Sequence, residues 1–444
     1  MLKMESEIDA WVPSADQKNY KLYYGEVNEV LEVNINHPPR MMEYHRRRLM
    51  SDFESINANE ILLVLTIPHT LELKRRNIDK VFIRLKNVLT NFLRNLTRNT
   101  YDIYHLDNEI FVVRLYTGRR KNKIERWASD IISILEKDIR KLVGFNFGFS
   151  IITSFKTDEE NVIDLIYNLA EYSLESKGIV YFDKSTESKI TRKFLIKDSI
   201  EQAIYNREID IALQPLVDSK NRQVSSYEAL ARWNHPVLGN ILPSEFISVA
   251  ERRGLIDDLG VLVLEKCCEF LISLSCEQRN EMRVNINVSV LQLQNDGFIV
   301  DIGSILNEYE LSPRLITLEI TESYLLDCSC TMIKCLNDLK KQGFGISLDD
   351  VGSGLTSISS LFRLPLTQIK FSRDLVYEAI RSSACFELIS LLCRYSKNKG
   401  VETVAEGIEH DDTIENLLFT GIDTLQGFAI SRPLSPEFIL KNIN

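Results

Sequence analysis

In the second half of the chain, polar side chains repeatedly follow short apolar runs, and most of them offer oxygen atoms. The set comprises Gln214, Glu228, Asn287, Glu319, Asp349, Asp350, Lys370, Glu406 and Gln426. It contains no histidine and no cysteine. Carboxylate and amide oxygens suit hard cations such as Mg²⁺ or Mn²⁺, whereas zinc sites usually contain His or Cys ligands. The residue types therefore indicate oxygen-ligand metal chemistry.

The adjacent pair Asp349 and Asp350 is the sharpest feature of this set. One carboxylate could bridge two ions while the other holds the second ion. Two metals roughly 3.5–4 Å apart can activate water and stabilise both the attacking and the leaving oxygen in phosphodiester hydrolysis. The alternative is that each polar residue caps a turn or a helix, the commoner role for any one of them alone. The recurrence across so many strand ends favours one shared site.

The runs that precede these residues predict eight parallel strands with helices between them, which is the pattern of a TIM-like β/α barrel. Catalytic groups in that fold lie at the carboxyl ends of the strands, where the loops surround one concave face. The last strand is predicted to open with Gln426. The predicted strands are 211–217, 224–232, 283–289, 315–321, 345–350, 368–371, 401–407 and 426–431.

The first half of the chain predicts a separate α+β domain, because a chain of 444 residues exceeds the usual size of one core. A helix over 186–204 joins this domain to the barrel, and the boundary is placed near residue 192. The fold class is therefore α/β, with an α+β domain preceding the barrel. Strands are predicted at 61–67, 109–116, 145–152 and 179–183, and helices at 84–96, 125–139 and 161–178.

Charge and composition narrow the function classes. Residues 1–190 hold 28 basic and 28 acidic side chains, so the acidic excess behind the net charge of −10 lies beyond residue 190. A basic face for nucleic acid is not indicated. Neither a signal peptide nor a membrane-spanning run is expected, which predicts a cytoplasmic protein. All eight cysteines follow residue 266 without zinc-ligand spacing, so reduced thiols are expected.

The stretch from about 208 to 440 resembles the EAL domain of bacterial cyclic-di-GMP phosphodiesterases along its whole length. The matching segments are QPLVD, YEALARWNHP, PSEFISVAERRGLI, NVSVLQL, LEITES, LDDVGSG, AEGIE and QGFAISRPL. The resemblance implies a hydrolase with two Mg²⁺ or Mn²⁺ ions that opens cyclic-di-GMP to linear pGpG. It also implies a homodimer formed through the EAL domain.

The resemblance further assigns roles to residues of this sequence. It places Glu228, Asn287, Glu319 and Asp349 on one metal, and Asp349 and Asp350 on the second. Lys370 and Glu406 would orient or deprotonate the attacking water, and Glu322 would anchor the loop after the paired aspartates. On the substrate side, Arg232 would contact phosphate, and Gln214, Leu230 and Gln426 would line the pocket.

Two departures from the family pattern bear on activity. EAL enzymes usually have an aspartate two residues after the lysine, where this chain has Ser372. Side chains two apart on a strand share a face, so Ser372 lies where that carboxylate would help set the charge and position of Lys370 or the metal-bound water. Its loss is expected to weaken the enzyme without removing the metal ligands. Val351 and Ser353 replace the usual Phe and Thr in the loop after the aspartate pair.

Residues 30–185 resemble a degenerate GGDEF domain, the diguanylate cyclase module. The signature segment reads Asp107-Asn108-Glu109-Ile110-Phe111, which lacks both glycines and one carboxylate. The first strand offers Thr66 and Ile67 where a metal-binding Asp is expected. An inhibitory R-x-x-D site would need Asp three residues after Arg98, where this chain has Tyr101. No cyclase activity is expected, which leaves a regulatory or structural role for this domain.

The predicted domains are an N-terminal extension (1–29), the degenerate GGDEF-like regulatory domain (30–185), a helical linker (186–206) and the EAL phosphodiesterase domain (207–444). The leading hypothesis is a hydrolase. A second is a non-catalytic cyclic-di-GMP receptor that uses the same pocket, which Ser372 favours. A third is an interaction adaptor without nucleotide binding, against which the retained site residues argue. The regulatory partner of the first domain is not identified.

Overall fold

The structure is a computed structural model, and it divides into two compact units, residues 1–194 and 195–444. The residues that the structure describes are 8–13, 19–24, 27–34, 38–53, 60–66, 101–106, 110–116, 148–152, 162–176, 179–295, 297–321, 330–353 and 363–443.

The first unit contains two β-sheets. An antiparallel sheet has the order β1-β2-β3 and consists of β1 (Ile8–Pro13), β2 (Asn19–Tyr24) and β3 (Val27–Asn34). A five-stranded sheet has the order β5-β6-β4-β7-β8. Its strands are β4 (Glu60–Thr66), β5 (Tyr101–His105), β6 (Ile110–Tyr116), β7 (Gly148–Ile152) and β8 (Ile179–Phe182).

Strand β4 lies at the centre of this sheet because its side chains are apolar on both faces. Leu62, Leu63, Val64 and Leu65 are all buried. Helix α2 (Val162–Glu175) packs its buried side chains into the same core as β4, and helix α1 (Pro38–Phe53) lies beside β5. Such an arrangement of helices on a mixed sheet is an α+β unit.

The predicted strands of the first unit are confirmed within a few residues, and so is the helix predicted over 161–178. The sequence patterns did not predict β5, α1 or the sheet in the predicted N-terminal extension. The helices predicted at 84–96 and 125–139 lie outside the described residues, as do Ile67, Arg98 and residues 107–109. The predicted joining helix is present as α3 (Lys184–Tyr205).

In the second unit, eight strands close into a barrel, with β11 (Gly239–Ile241) added at the edge of β10 as a hairpin. The predicted barrel is confirmed. The barrel strands are β9 (Ile209–Asp218), β10 (Val224–His235), β12 (Arg283–Asn287), β13 (Ile316–Thr321), β14 (Gly345–Val351), β15 (Gln368–Phe371), β16 (Glu402–Ala405) and β17 (Thr424–Leu425).

Helices follow most of these strands and cover the barrel with apolar faces. The Trp233 ring, for example, meets Phe246 edge to face at 5.8 Å between centroids. The described helices are α4 (Pro243–Arg253), α5 (Ile256–Ile272), α6 (Cys276–Glu281), α7 (Val290–Leu293), α8 (Phe298–Glu308), α9 (Cys330–Gln342), α10 (Arg373–Arg381), α11 (Ser383–Lys399), α12 (Asp411–Leu418) and α13 (Pro436–Ile443).

The prediction of eight parallel strands is wrong for β9, which runs antiparallel to both β10 and β17. The five residues between Asp218 and Val224 explain this, because a parallel pair needs a crossover of about a dozen residues or more. The chain instead turns back directly, with Arg222 at a φ of 63°. The β9–β10 hairpin therefore replaces one β/α unit.

The last strand also differs from the prediction, because it ends at Leu425 and Gln426 follows it. The chain then passes close to the loop after β16. A Cβ atom on residue 427 would lie 2.1 Å from the carbonyl oxygen of Ile408, so only glycine fits there. Gln426 consequently lies at the carboxyl end of its strand, like the other site residues.

Among the residues that the structure describes, no helix is both long and apolar enough to cross a membrane. Six cysteines in the described part of the chain are free thiols, and three of them, Cys267, Cys268 and Cys393, are buried.

Candidate active site

The predicted site residues meet at one end of the barrel because they lie at the carboxyl ends of the parallel strands. Neighbouring strands are in register there: Asn287 pairs with Glu319, and Thr321 pairs with Asp349. Glu228 lies on β10, and Lys370, Glu406 and Gln426 lie at the ends of β15, β16 and β17. The predicted convergence on one mouth is confirmed for these side chains.

The ammonium group of Lys370 occupies the centre of this cluster and is completely buried. Its Nζ atom is within ion-pair distance of four carboxylates. The distances are 2.6 Å to Glu406 Oε1, 2.9 Å to Glu319 Oε1, 3.1 Å to Glu228 Oε2 and 3.4 Å to Asp349 Oδ1. Buried charges are tolerated only when they are paired and hydrogen-bonded, so the lysine and its carboxylates depend on each other.

This cluster shifts the pKa values of its members in different directions. Burial raises the pKa of Glu319 well above its usual range, and the other carboxylates raise it further against the effect of Lys370. Burial likewise raises the pKa of Glu406 to about 8. Burial alone would lower the pKa of Lys370, but its four carboxylate neighbours outweigh that effect and raise it. Lys370 is therefore a permanent cation.

Glu228 is the carboxylate with the most donors around it. Its Oε2 accepts a hydrogen bond from Gln426 Nε2 at 2.6 Å, and its Oε1 accepts one from Asn287 Nδ2 at 3.1 Å. Burial raises the pKa of Glu228, but Lys370 and the two amides together outweigh it, so the net shift is downward. Gln214 lies opposite Glu228 on β9, and its Oε1 is 3.4 Å from Gln426 Nε2. Glu228 is thus held ionised.

The donor set fits a hard divalent cation. All the clustered groups except Lys370 offer oxygen, and Glu319 Oε2 is buried without a hydrogen-bond partner. Asp349 Oδ1 also lacks a hydrogen bond, since its 3.4 Å approach to Lys370 is an ion pair only. Within the described residues no three His, Cys, Asp or Glu side chains stand close enough together to form a preformed metal cage. The ammonium of Lys370 separates the carboxylates instead.

The paired aspartates lie on a β-bulge. The pairing of β14 with β15 shifts register between Leu348 and Val351, and Asp350 has a φ of 58°, in the left-handed region. Consecutive strand residues normally point to opposite faces, and a bulge removes that constraint. Asp349 is half-buried in the cluster, whereas Asp350 is exposed. Glu322 lies outside the described residues.

The loop after the aspartates is closely packed. Val351 is buried, and the Ser353 hydroxyl donates to the Asp350 carbonyl at 2.8 Å, a bond that a threonine could also make. Gly352 has a φ of 97°, and a Cβ there would lie 2.6 Å from Leu375 Cδ2. Glycine is therefore required where the loop contacts α10.

The predicted substrate residues Leu230 and Arg232 follow Glu228 along β10, at alternate positions and therefore on the same face. Both are half-buried. Burial lowers the pKa of Arg232, which stays cationic near neutral pH because guanidinium titrates so high. Its Nη1 donates to the Ala231 carbonyl at 2.9 Å, which leaves further donors for an anionic ligand.

The structure gives Ser372 a role that the sequence did not predict, and its backbone remains extended there, at a φ of −57° and a ψ of 151°. Strand β15 ends at Phe371, and Ser372 is the N-cap of α10. Its hydroxyl accepts a hydrogen bond from the Leu375 amide at 3.4 Å, and its own amide donates to the Val351 carbonyl at 3.1 Å. Ser372 is a good helix cap, as an aspartate would be at the same position.

Sequence reasoning missed three polar residues in the barrel interior: Asn285, Gln368 and Glu402. Each lies two or four residues before a site residue on the same strand or its extension, namely Asn287, Lys370 and Glu406. That even spacing was the available signal, because it places these side chains on the inward face.

A closed β/α barrel with a carboxylate cluster and a buried lysine at its mouth defines a β/α-barrel protein with an acidic site at one end of the barrel. The family model described as EAL domain matches residues 197–433, slightly more than half of the chain. The chain therefore belongs to the EAL domain family.

Relatives and solved structures agree with this assignment. MucR of Pseudomonas aeruginosa, a bifunctional diguanylate cyclase/cyclic di-GMP phosphodiesterase, is 30% identical over 60% of this chain and 39% of its own length. NbdA of the same organism, a cyclic di-GMP phosphodiesterase, is 27% identical over 64% of this chain and 37% of its own length. The PaMucR phosphodiesterase in complex with c-di-GMP has a TM-score of 0.51 at 31% identity, over 55% of this chain and 99% of that chain. The chain spans about two fifths of the length of the curated relatives it matches.

Proposed function

We propose that the barrel hydrolyses cyclic-di-GMP to linear pGpG in a reaction that depends on two divalent cations, Mg²⁺ or Mn²⁺. The observation that carries this proposal is the cluster of Glu228, Asn287, Glu319 and Asp349 around the buried Lys370 at the barrel mouth. Its support from comparison is the family membership and the 31% identity to a phosphodiesterase in complex with c-di-GMP.

Glu228, Asn287, Glu319 and Asp349 would hold one ion, and Asp349 with Asp350 the second. Bound metal would supply an activated water and charge stabilisation for the phosphodiester. Lys370 neutralises the carboxylates around it and orients Glu406 through the 2.6 Å ion pair. Because burial raises the pKa of Glu406 to about 8, this carboxyl group can take up a proton near neutral pH.

On the substrate side, the half-buried guanidinium of Arg232 would pair with a phosphate of the dinucleotide, since guanidinium matches phosphate geometry. Gln214, Gln426 and Leu230 would line the adjacent pocket. Glu322 is assigned to anchoring the loop that follows the aspartate pair. The oxygen of a water molecule bonds to the phosphorus, and the bond from the phosphorus to one sugar oxygen breaks. A proton from the water passes to that leaving sugar oxygen.

The proposal includes residues 30–185 as a degenerate GGDEF-like regulatory module without cyclase activity, preceded by an extension (1–29) and followed by the helical linker (186–206) and the EAL domain (207–444). Thr66 and Ile110, which pair across β4 and β6, support the absence of cyclase chemistry because neither ligates metal well. A homodimer through the EAL domain and an unidentified regulatory protein complete the proposed assembly.

A non-catalytic cyclic-di-GMP receptor is the second candidate, and Ser372 favours it. This position lacks the carboxylate usual in active EAL enzymes, and the Ser372 hydroxyl is engaged in capping α10. In a receptor the same pocket would bind the nucleotide without turning it over.

The test is to incubate the purified full chain with cyclic-di-GMP and Mn²⁺ or Mg²⁺ and to follow pGpG by chromatography. We expect wild-type protein to form pGpG and Glu228→Gln to lose at least about 100-fold of that rate, because an anionic ligand is removed while the side chain keeps its size. Tight nucleotide binding without pGpG would favour the receptor. Equal rates for wild type and Glu228→Gln would overturn the assignment of the site.

A further inference from the structure

The barrel interior below the mouth is polar, although β/α barrels usually fill this space with bulky apolar residues. Asn285, Gln368 and Thr424 lie two residues before Asn287, Lys370 and Gln426, and all three are buried. Side chains two apart on a strand share a face, so these three point inward beneath the site. Glu402, four residues before Glu406, belongs to the same inner set.

These interior residues form one continuous chain of hydrogen bonds that ends on a proposed metal ligand. Thr424 Oγ1 donates to Glu402 Oε1 at 2.6 Å, and Gln368 Nε2 donates to Glu402 Oε2 at 3.2 Å. Asn285 Nδ2 then donates both to Gln368 Oε1 at 2.8 Å and to Glu319 Oε1 at 2.9 Å. We name the hydrogen-bonded chain of Glu402, Gln368, Asn285 and Glu319 the carboxamide relay, after the two amides in its centre.

The two ends of the carboxamide relay fix its direction. A carboxylate that binds metal accepts hydrogen bonds only, so the Asn285 amide must present its NH₂ group toward Glu319, and the Gln368 amide presents its NH₂ group toward the Glu402 carboxylate. If Asn285 were rotated, its carbonyl oxygen would face Glu319 Oε1 and Gln368 Oε1 together. If Gln368 were rotated as well, its carbonyl oxygen would face Glu402. Hydrogen-bond chemistry therefore permits one orientation of both amides.

The relay also crosses from a partly hydrated rim to a dry interior. The Glu402 side chain is 24% exposed and lies 3.9 Å from the guanidinium of Arg283, whereas the Glu319 side chain is 0% exposed. The anchoring charge is thus stabilised by water and an arginine. The Glu319 carboxylate lies away from water, and its cation is the buried Lys370 at 2.9 Å.

At Glu319 the relay selects one oxygen. Asn285 and Lys370 both approach Oε1, and Oε2 is buried without a hydrogen-bond partner. A buried carboxylate oxygen without a partner is costly unless another ligand completes it.

We propose that Asn285 is a positioning residue, locked by Gln368 and Glu402, that holds Glu319 with Oε2 presented to the metal. The proposal rests on the proposed function only in taking Glu319 as a metal ligand. Groups that orient a ligand from behind commonly change metal affinity by about 10- to 100-fold when they are altered. No ligand contact by Asn285 itself is required.

The first test is Asn285→Asp, which keeps the size of the side chain and replaces the shared donor by an acceptor. We expect the affinity of the full chain for Mn²⁺, measured by calorimetry without nucleotide, to fall by roughly 10- to 100-fold. The variant should therefore form pGpG more slowly than wild type at low Mn²⁺ concentration, and saturating Mn²⁺ should restore most of the rate. The matched control is Ser347→Ala, a buried interior position that pairs with Glu319 in register, and whose hydroxyl makes no hydrogen bond. It should bind Mn²⁺ like wild type.

The second test is a swap that separates positioning from simple packing. Gln368→Glu alone sets two carboxylates against each other at the 3.2 Å contact with position 402. Adding Glu402→Gln restores a donor and an acceptor at every link, because the new amide donates to position 368 and accepts from Thr424. We expect the single variant to lose Mn²⁺ affinity and the double variant to regain most of it. This test also serves if Asn285→Asp fails to fold.

The outcomes distinguish this proposal from the proposed function. Wild type that binds Mn²⁺ without forming pGpG overturns hydrolysis, while the Mn²⁺ comparison still decides the relay. Asn285→Asp with wild-type affinity, or a double swap no better than Gln368→Glu, overturns the positioning role. Wild type without measurable Mn²⁺ affinity overturns it too, since Glu319 would then have no ion to receive.

Discussion

The two units of this chain differ in the charge of the side chains at the ends of their strands. At the barrel mouth, neighbouring strand ends present Glu228, Glu319 and Asp349 to one buried lysine. In the first unit, the central strand β4 ends at Thr66, which pairs with Ile110 of β6, and both residues are buried. One sheet keeps a cluster of buried charges, whereas the other has apolar or neutral side chains at the corresponding edge.

The difference shows what each edge needs for stability. Buried carboxylates without a partner ion are strongly unfavourable, so the barrel mouth is stable only with Lys370 or a metal among them. The edge formed by Thr66 and Ile110 needs neither, because it buries apolar surface instead. A sheet edge with neutral side chains therefore folds without a partner ion, and the first unit is an example.

The strongest way to break this contrast is to remove the buried cation. Lys370→Met leaves Glu228, Glu319, Asp349 and Glu406 without their shared partner, so we expect the free energy of unfolding of the barrel to fall by about 3–5 kcal/mol without metal. Added Mn²⁺ should restore part of the loss, because the ion then supplies the missing positive charge. Urea denaturation with and without Mn²⁺ measures both effects.

The matched control removes a lysine from an exposed pair. Lys266 Nζ lies 2.6 Å from Asp210 Oδ1, and that carboxylate is largely exposed. Lys266→Met should change the free energy of unfolding by no more than about 1 kcal/mol. A loss for Lys370→Met as small as this control would contradict the view that the carboxylates depend on the lysine.

The converse experiment places a charge in the first unit. Ile110→Glu would bury a carboxylate beside Thr66 at a position that is 5% exposed, so the free energy of unfolding of the first unit should fall by about 2–3 kcal/mol. No cyclase should appear, since the residue types at 66, 107 and 108 are unchanged. Circular dichroism during denaturation measures the stability, and incubation with GTP checks for cyclic-di-GMP. Synthesis of cyclic-di-GMP by this variant would refute the inactive assignment.

The site was predictable from the sequence to the extent that it depends on strand periodicity. Glu228, Asn287, Glu319 and Lys370 lie on the predicted strands, and barrel geometry brings their side chains to one end of the barrel. The antiparallel β9 was also open to prediction, because the gap before β10 is too short for a crossover.

Other features depend on contacts that no local pattern contains. The bond between Asn285 and Gln368 joins residues 83 apart in the chain, and its direction follows from acceptors at both ends of the relay. The end of β15 at Phe371 is likewise set by the start of α10, which makes Ser372 a cap rather than a strand residue.

The smallest expected effect concerns Ser372, and it separates the cap from the missing carboxylate. Ser372→Ala removes the hydroxyl that accepts from Leu375, so it should lower the free energy of unfolding by about 1 kcal/mol. Ser372→Asp keeps a capping oxygen and should leave stability nearly unchanged. If the carboxylate usual in EAL enzymes also tunes the site, Ser372→Asp should raise the rate of pGpG formation by about tenfold or more while cyclic-di-GMP affinity stays the same. Because both variants change the same position, the free energy of unfolding measures the contribution of the helix cap. The rate of pGpG formation measures the contribution of the carboxylate. An unchanged rate in Ser372→Asp, with wild type that binds nucleotide but forms no pGpG, would assign the barrel to the receptor class.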